Sequence, residues 1–583
     1  MRLLCFLAAA ALAASPTAAL WPIPIDISTG NETLFIDKTI NITYNGAPLA
    51  YEPGYEPPAG SNFTSRAIVQ GALARSLGAI FDDGYVPWML HKPGSDFEPR
   101  CGPDRTGGRV LSLAITQTGR DDASTFRPLA GQRDESYSLN VTLDGRASIA
   151  ARSSTGVLRG LETFSQLFFA HSSGAAWYTT SAPVRVADDA PRFAHRGLVL
   201  DVSRHWFAVG DIKRTIDGLA MAKMNVLHLH VTDTQSWPLE IPALPLLAER
   251  HAYGRALTYS PADLAGLHEY AVHRGVQLVL EIDMPGHVGI DLAYPGLSNA
   301  YNERPYARYC LQPPCGSLRL GSERVEAFLD ALFEDLLPRV SPYAAYFHTG
   351  GDEYKANNSL LDPDLRTNDT SVLQPLLQRF LDHAHGKVRE LGLVPVVWEE
   401  MISEWNATVG KDVVVQSWLG QEKVKELARA GHKVIVSTAD SYYLDCGRGG
   451  WVDFENGPGF QRAYPFNDWC APARSWRLIY AQDPRAGLSG EAAANVLGGE
   501  VAMWTETVDA ASLDAIVWPR AAAAGESWWS GRYDADGRNR SMYDARARLS
   551  EMRERMLARG VRGAVITQLW CDQADTIDCS EEE

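Results

Sequence analysis

The spacing of apolar residues changes once along this 583-residue chain. From about residue 66 to 190, short alternating segments such as Arg109–Thr116 and Tyr137–Leu143 are typical of strands, and Gly156–Phe169 has a helical spacing. After Pro191 the pattern becomes strand, helix, strand, repeated over about 350 residues. The predicted strands of this second region are Gly197–Val202, Val226–Val231, Gln277–Ile282, Ala344–Phe347, Val394–Trp398, Val413–Trp418, Lys433–Ser437 and Asn495–Trp504.

This alternation predicts the fold class. Helical segments lie between several of the strands, with apolar residues three and four apart, as at Ile212, Ile216 and Leu219. Eight such strands favour a (β/α)8 barrel over an open doubly wound sheet, and no glycine-rich dinucleotide fingerprint follows the first strand. We therefore predict an α/β protein, a (β/α)8 TIM barrel preceded by a smaller α+β domain.

The domain boundaries follow from shifts in composition. Arg2, the apolar run Leu3–Ala14 and the small residues Thr17–Ala19 are typical of a secretion signal, which predicts a signal peptide over residues 1–19. Pro16 makes the apolar run too short for a membrane span. Residues 20–65, rich in Pro and Gly, are predicted to be an arm or propeptide-like segment. The α+β domain then covers residues 66–190, and the barrel with a C-terminal extension covers residues 191–583.

The charge balance narrows the possible partners. The chain has 54 Lys and Arg against 71 Asp and Glu, a net charge of −17, and nucleic-acid binding needs clustered cations instead. Sixteen Trp residues suit flat apolar ligand faces. Together with the signal, these features predict a secreted or vacuolar, lysosome-like protein with no membrane span and no nucleic-acid partner.

Cysteines and glycosylation sequons agree with an oxidising compartment. Cys5 lies in the signal and Cys101 is left over, while the other six form pairs close in sequence, predicted to be disulfide staples: Cys310 with Cys315, Cys446 with Cys470, and Cys571 with Cys579. No histidine pair at ligand spacing accompanies them, which disfavours a metal site. Candidate glycosylation sites are Asn31, Asn41, Asn62, Asn140, Asn357, Asn368, Asn406 and Asn539.

Polar and aromatic residues cluster where the predicted strands end, which is where a barrel carries its chemistry. The sharpest feature is the adjacent pair Asp352 and Glu353, which follows Gly350 and Gly351. An isolated Asp-Glu pair is usually only an acidic loop, but this one lies at a strand end among Trp and His. Neighbouring carboxyl groups are poorly placed to straddle a sugar, so we expect Asp352 to orient a substrate group while Glu353 transfers the proton.

Other side chains at the strand ends have two interpretations. Trp398, Trp418 and Trp504 are either core residues or the walls of a small apolar pocket, such as one for an acetamido methyl group. His228 and His230 share one strand face and could belong to a metal hydrolase, an alternative that we rank below a sugar hydrolase. A serine hydrolase is disfavoured because no G-x-S-x-G elbow occurs.

Taken together, these residues resemble glycoside hydrolase family 20, the β-N-acetylhexosaminidases, and in particular its secreted fungal members. The match spans most of the barrel in the expected order, and the N-terminal module fits through Leu158–Phe164. The matching barrel segments are His195–Leu198, Asp201–His205, Lys223–His230 with Asp233, Glu281–His287, His348–Glu353, Tyr443–Asp445, Gly498–Glu500 and Trp504–Glu506.

The resemblance implies a retaining mechanism in which the substrate's own acetamido oxygen attacks the anomeric carbon. Asp352 would hold the acetamido nitrogen, Glu353 would act as general acid and then base, and Tyr443 would bind the acetamido oxygen. It implies no metal or cofactor and a possible homodimer. The resemblance also assigns Trp398, Trp418 and Trp504 to the pocket wall, Arg196, Asp445 and Glu506 to sugar hydroxyls, and Asp233 and His287 to a network supporting Glu353.

The leading hypothesis is an exo-acting hydrolase that removes terminal N-acetylglucosamine or N-acetylgalactosamine from chitooligosaccharides or glycoconjugates, with an acidic pH optimum. A non-catalytic sugar-binding protein is one alternative, although such a protein needs no proton donor. An endo-acting chitinase is another, but its usual Asp-X-Asp-X-Glu spacing is absent from the chain.

Overall fold

The computed structural model describes residues 19–101, 107–453, 458–534, 536–574 and residue 579. Apart from Ala19, the predicted signal peptide lies outside these residues. None of the helices in the described part of the chain combines the length and apolar character that crossing a membrane requires.

The first domain is a mixed sheet with two long helices on it. Its strands run in the order β3-β2-β5-β7-β6-β9-β1-β4, and β8 pairs with β9. The described strands are β1 (Ile27–Ile36), β2 (Asn41–Tyr44), β3 (Ala47–Pro48), β4 (Gly108–Arg109), β5 (Ser112–Gln117), β6 (Tyr137–Val141), β7 (Arg146–Ala151), β8 (Phe169–Ala170) and β9 (Trp177–Asp189).

Helices α1 (Ser65–Phe81) and α3 (Ser154–Gln166) bury their apolar residues against this sheet, while α2 (Ala123–Phe126) is a single short turn. Both long helices begin at a hydroxyl cap. The side chain of Thr64 accepts a bond from the amide of Ala67, and that of Ser153 accepts one from Gly156. Helix α3 ends three residues before the predicted Phe169, because Phe169 pairs with strand β9 instead.

The predicted arm, residues 20–65, is not separate from this domain, which corrects the predicted boundary at residue 66. Strand β1 pairs along β9 from Ile27 to Ile36 and lies inside the sheet. Just before it, Trp21 is fully buried and donates from its indole nitrogen to the carbonyl of Ala522 in the second domain. The spacing of Pro and Gly suggested loops, but pairing with a distant strand determines the conformation.

Eight strands within the described residues close into a parallel barrel, as predicted. Each predicted strand has a counterpart, with ends shifted by at most two residues; Gln277–Ile282 and Val394–Trp398 coincide at both ends. The closing pair joins the first strand to the eighth, with Leu200 opposite Met503. The barrel strands are β10 (His195–Asp201), β11 (Val226–Thr232), β12 (Gln277–Ile282), β15 (Tyr346–His348), β16 (Val394–Trp398), β17 (Val414–Ser417), β18 (Lys433–Val436) and β19 (Val496–Met503); β13 (Ser298–Asn299) and β14 (Ser317–Leu318) form a small hairpin outside it.

Helices surround the barrel, and the longer ones such as α7 bury an apolar face, with Val325, Phe328 and Leu332 turned inward. They are α4 (Val209–Met221), α5 (Leu246–His251), α6 (Pro261–Val272), α7 (Glu323–Val340), α8 (Thr370–Glu390), α9 (Glu400–Ser403), α10 (Gln421–Arg429), α11 (Ala439–Tyr442), α12 (Pro458–Ala463), α13 (Trp476–Tyr480), α14 (Gly490–Asn495), α15 (Leu513–Val517), α16 (Arg520–Ser530), α17 (Met542–Ala558) and α18 (Leu569–Gln573).

Helix α17 of the C-terminal extension joins the two domains. Arg548 forms a buried ion pair with Glu526 on α16 and donates to the carbonyl of Leu20. Arg555, on the same helix, donates to the carbonyls of Gln166 and Phe168 in the first domain. The extension is therefore an integral part of the molecule.

The three predicted cysteine pairs are disulfide-bonded in the structure, and Cys101 is partly exposed. The sequon asparagines are surface residues: Asn140 and Asn357 are half-buried, and the remaining six are exposed.

Candidate active site

The site lies at the C-terminal ends of the barrel strands, on the turn that follows β15. Gly350 and Gly351 have φ angles of 70° and 107°, a conformation that favours glycine. A Cβ atom at Gly350 would lie 1.9 Å from a carboxylate oxygen of Asp283. The two glycines therefore let the turn pass against β12, so that Asp352 and Glu353 emerge at the barrel mouth.

A chain of charged contacts leads to Glu353. Nε2 of His287 lies 3.3 Å from Oε2 of Glu353, and Nδ1 lies 3.1 Å from Asp233. Burial lowers the pKa of His287, but the neighbouring charges, of which Asp233 and then Asp352 contribute most, outweigh burial and raise that pKa well above its ordinary value. His287 is therefore an imidazolium that can donate to Glu353.

Asp352 is buried beside a second carboxyl group, Asp283. One oxygen of each and a ring nitrogen of His287 lie within 4.8 Å of one another. Burial, followed by the charge of Asp352, raises the pKa of Asp283 well above its usual range. Asp283 consequently keeps a proton that it can share with Asp352. Among the described residues, no protein group hydrogen-bonds to Oδ1 of Asp352, which leaves this oxygen for a ligand.

The aromatic residues that the sequence suggested as a pocket wall contact one another at this end of the barrel. Trp418 and Tyr443 stack with their centroids 6.3 Å apart and their planes 17° from parallel, and Trp504 meets Tyr443 edge to face at 6.2 Å. Trp398 is fully buried, lies 6.3 Å from Trp504 and donates to Glu281 over 2.6 Å. Trp418 donates to Glu400, whose pKa is raised well above its usual range by burial and by the nearby charge of Asp352.

Acidic and basic groups that can bind hydroxyls lie on the opposite side of the cleft. Burial and the neighbouring Glu506 charge raise the pKa of Asp445 well above its usual range, and no described protein group bonds to its Oδ1 atom. Arg204 contacts Asp233 at 2.7 Å and stacks over Trp504 at 5.2 Å. The side-chain amide of Gln312 satisfies both neighbours when its oxygen faces Arg204 and its nitrogen faces Glu506. In this orientation the oxygen accepts from Arg204 over 2.8 Å and the nitrogen donates to Glu506 over 3.3 Å.

Arg196 does not belong to this group, which corrects the prediction that it binds sugar hydroxyls. It lies at the N-terminal end of β10, fully buried, where it contacts Glu135 at 2.7 Å and donates to the carbonyls of Phe193 and Lys223. Parallel strands carry their first residues to the opposite end of the barrel from the site. Arg196 therefore ties the barrel to the first domain.

Beyond Glu353 the site opens into a cleft of about 720 Å³. The segment closed by the disulfide between Cys446 and Cys470 forms one wall. Trp469, which is 71% exposed, meets Trp418 edge to face at 5.8 Å and extends the aromatic surface outward. The cleft thus offers an apolar face next to Glu353.

Groups with the composition of a metal site lie below this pocket. His228, Glu281 and His348 place one ligand atom each within 4.8 Å of one another. The same atoms pair as imidazole and carboxylate, at 3.1 Å for His228 and 3.2 Å for His348, each to Glu281. These imidazole–carboxylate contacts account for the arrangement of the three side chains.

The sequence of the barrel matches a known protein family over the region that forms this site. Residues 193–532 match the catalytic domain of glycosyl hydrolase family 20, and residues 20–167 match a domain described as β-acetyl hexosaminidase like. The chain belongs to glycoside hydrolase family 20. It is therefore a glycoside hydrolase related to the β-N-acetylhexosaminidases, as its motifs predicted.

Family 20 relatives match along most of their length. A β-hexosaminidase of Arthroderma benhamiae is 36% identical, over 95% of this chain and 96% of its own. A chitooligosaccharidolytic β-N-acetylglucosaminidase of Bombyx mori is 30% identical, over 81% of this chain and 79% of its own. Among solved structures, the chitobiase of Flavobacterium johnsoniae superposes with a TM-score of 0.70 at 26% identity, covering 93% of this chain and 73% of that one.

Sequence reasoning missed several members of this family 20 site. Arg204, Asp283 and Gln312 were not assigned to it, although the first two follow barrel strands and lie in segments that carry the resemblance. Arg204 lies three residues after the C-terminal end of β10, whereas Arg196 lies near its N-terminal end. This difference in position was the signal that could have identified Arg204, rather than Arg196, as the arginine of the site. Gln312 lies on a loop far from any strand end, and only the tertiary structure brings it to the cleft.

Proposed function

We propose that the protein is an exo-acting β-N-acetylhexosaminidase that hydrolyses terminal N-acetylglucosamine or N-acetylgalactosamine by a retaining, substrate-assisted mechanism. The observation that carries this proposal is the shared turn of Asp352 and Glu353. Both carboxylates approach the same Nε2 atom of His287, at 3.9 Å and 3.3 Å, so they lie on one side of the site. A second protein carboxylate as nucleophile would have to face Glu353 across the sugar.

The substrate's acetamido group supplies the nucleophile in this mechanism. Its oxygen attacks the anomeric carbon while the bond to the leaving oxygen breaks, and Glu353 gives its proton to that oxygen. Asp352 accepts a hydrogen bond from the acetamido nitrogen, whose positive character grows as the oxazolinium ring forms. Tyr443 donates to the acetamido oxygen, and the rings of Trp398, Trp418 and Trp504 enclose the methyl group.

Water completes the reaction. Glu353, now a carboxylate, takes a proton from water as the water oxygen attacks the anomeric carbon. The bond from that carbon to the acetamido oxygen breaks, which restores the acetamido group and retains the configuration. His287, held as a cation by Asp233, stabilises the Glu353 carboxylate that forms when the proton leaves and fixes its orientation for the second step.

Sugar hydroxyls are bound by Asp445, Glu506 and Arg204, and the leaving part of the substrate occupies the cleft beside Trp469. The printed name of the Bombyx mori relative, chitooligosaccharidolytic, supports chitin fragments as one substrate class. Release of single sugars from the end of an oligomer, measured by chromatography, separates this proposal from an endo-acting chitinase.

The decisive variant is Glu353→Gln. General acid catalysis contributes about 10²–10⁴-fold, so we expect a loss of that order in kcat on chitooligosaccharides. Glu404→Gln, an exposed carboxyl on a nearby loop, is the matched control and is expected to retain wild-type activity. Undiminished hydrolysis by Glu353→Gln would refute the assignment.

Substrate assistance has a separate test. Fluorination of the N-acetyl methyl group makes the acetamido oxygen a weaker nucleophile. We expect kcat/KM to fall steeply from acetyl to monofluoro-, difluoro- and trifluoroacetyl aryl glycosides. Rates that do not depend on fluorination would favour an external nucleophile.

The predicted signal peptide and surface sequons support a secreted or vacuolar glycoprotein, which secretion of the full-length chain and glycosidase-induced mass shifts would test. The homodimer implied by the resemblance remains a prediction, and sedimentation of the purified chain measures it directly.

A further inference from the structure

Polar side chains fill much of the barrel interior. At the N-terminal end the interior is apolar, with Val226, Val279, Val396, Val414 and Ile435 packed together. Barrel cores are usually filled with branched apolar side chains throughout. Here the next positions along the strands carry imidazoles and carboxylates instead, all at most 1% exposed: His228 and His230 on β11, Glu281 on β12, His348 on β15 and Glu500 on β19.

The lower half of this group is centred on Glu500. Its Oε1 atom lies 2.7 Å from Nε2 of His195, and its Oε2 atom lies 2.9 Å from Nδ1 of His228. Gln416 donates to the same Oε2 atom over 2.8 Å. Gly197 on the neighbouring strand leaves room for this side chain, since a Cβ atom there would lie 2.7 Å from Cγ of Glu500.

The upper half is centred on Glu281. Its Oε2 atom lies 3.1 Å from Nε2 of His228 and 2.7 Å from Nδ1 of His230, while His348 and Trp398 approach Oε1. His230 then contacts Asp233 through Nε2 at 3.1 Å. The contacts are thus continuous from Glu500 to the Asp233 and His287 pair that supports Glu353.

Charge alternates along this chain of contacts. Burial lowers the pKa of both imidazoles, but their carboxylate neighbours outweigh it and raise the pKa to about 10 for His228 and about 9 for His230. The histidines in turn hold the pKa of Glu281 and of Glu500 well below the usual range against the effect of burial. Each carboxylate is therefore flanked by cations, and each cation by anions.

The series of contacts ends, on the side of Glu500, beside a second cavity of the molecule. His195 lines a cavity of about 510 Å³ at the N-terminal face of the barrel, between the two domains. Arg133, Lys433 and Arg485 also line this cavity.

We propose that Glu500, His228, Glu281 and His230 form a positioning network for the general acid, which sets the pH range in which Glu353 works. The proposal rests on the proposed role of Glu353. Arg204 and His287 contribute most to keeping Asp233 anionic, the hydrogen bond from His230 adds to them, and Asp233 in turn keeps the proton on His287. The other charged groups facing His287 are Asp352, Asp283, Glu353 and Arg204, and none of them belongs to the network.

The test is a pair of substitutions with opposite charge changes at sites remote from the substrate. Glu500→Gln removes a negative charge, which destabilises the neighbouring cations and should move the alkaline limb of the kcat/KM profile to lower pH. His228→Gln removes a positive charge and should move this limb to higher pH. At the separations inside a barrel, one unit charge predicts shifts of about 0.5–1 pH unit.

His385→Gln is the matched control. His385 is a buried imidazole bonded to Thr349 at 3.1 Å, outside the network, and its replacement should leave the profile unchanged. A network variant that keeps the wild-type KM but has a shifted pH limb would show a positioning effect and not a general loss of structure. Coincident profiles for both network variants, or shifts in the same direction, would overturn the proposal.

A measurement on the unmodified chain covers the case in which a variant does not fold. Neutron diffraction at pH 7 should show deuterons on both ring nitrogens of His228 and of His230, and a bare nitrogen on either would overturn the proposal. If Glu353→Gln kept full activity, the proposed function would fail first. If Glu353→Gln were inactive but the network variants kept the wild-type profile, only the network proposal would fail.

Discussion

Glu353 and His287 meet through one contact, in which Nε2 of His287 lies 3.3 Å from Oε2 of Glu353. The other ring nitrogen of His287 contacts Asp233, so the imidazole connects the proposed acid to a buried anion. This relationship makes the protonation of His287, and through it the electrostatic environment of Glu353, depend on Asp233.

Asp233→Asn should therefore narrow the active pH range. Burial lowers the pKa of His287 and the Asp233 charge raises it, so removing that charge lets His287 lose its proton at lower pH. We expect the alkaline limb of kcat/KM to report loss of the His287 proton. An opposite charge at this distance shifts a pKa by roughly 1–3 units, so the limb should move to lower pH by about that amount. Asp330→Asn, on the outer face of α7, is the control that should leave the limb in place. A limb unchanged in Asp233→Asn would contradict this role.

The two arginines on β10 and the turn after it should differ in their effect on kcat/KM, although both form buried ion pairs and both variants should lose stability. Arg204→Gln removes a charged hydrogen-bond donor from the cleft, and such bonds contribute about 1.5–3 kcal/mol, or roughly 10- to 150-fold in kcat/KM. Arg196→Gln breaks a buried ion pair with Glu135, which typically costs about 3–5 kcal/mol of unfolding free energy. Kinetics and denaturant unfolding of both variants test this, and a KM effect confined to Arg196→Gln would reverse the assignment.

Gly350→Ala should damage the turn that carries both carboxylates. Its φ of 70° and the 1.9 Å approach of a Cβ atom to Asp283 force the turn to shift. A displacement of about 1 Å at a reacting group can cost around 100-fold, the loss of kcat/KM that we expect. Gly386→Ala in helix α8, where a Cβ atom meets nothing within 4 Å, should keep wild-type activity. Equal activity of the two variants would show that the turn tolerates a side chain.

The paired histidines should make stability fall with rising pH. His228 and His230 have pKa values raised to about 10 and 9 in the folded chain, so their stabilising effect is complete below pH 6.5, the ordinary value. As pH rises above 6.5 the unfolded chain loses these protons first, at roughly 1.4 kcal/mol per pH unit for each histidine. Between pH 6.5 and 8 we expect a loss of up to about 4 kcal/mol, measured by urea unfolding. Above this range Lys223, whose pKa burial lowers to about 8, acts in the opposite direction.

The same measurement on His228→Gln should give a shallower slope over that pH range. A slope equal to that of the wild type would mean that His228 is neutral in the folded chain.

Trp469→Ala should affect oligomers more than small glycosides. The exposed ring extends the aromatic wall beside the leaving side of Glu353. An aromatic contact contributes about 0.5–1.5 kcal/mol, so KM for chitooligosaccharides should rise about 2- to 10-fold, with little change for aryl glycosides. Trp570→Ala, at an exposed tryptophan that does not line the cleft, is the control. Equal effects on both substrate types would place the leaving sugar elsewhere.

The parts of the site that could be predicted from the sequence are those whose residues are neighbours in the chain. Asp352 and Glu353 are neighbours on one turn, so their proximity requires no knowledge of the fold. The strand pattern also placed Glu506 at a strand end, while Asp445 was named only through the family resemblance, and both line one cleft in the structure. Arg196 was misassigned because a matching motif does not say which end of a short strand faces the substrate.

The sequence by itself determined the order of strands and helices, the barrel, the family and the turn that carries Asp352 and Glu353, because these depend on local periodicity and on residues close together in the chain. Tertiary structure decided that residues 20–65 complete the first sheet, that Gln312 joins the cleft, and that Glu281 and Glu500 share His228. These contacts join residues far apart in sequence, and the last of them forms only because closure of the barrel brings its eighth strand beside its first.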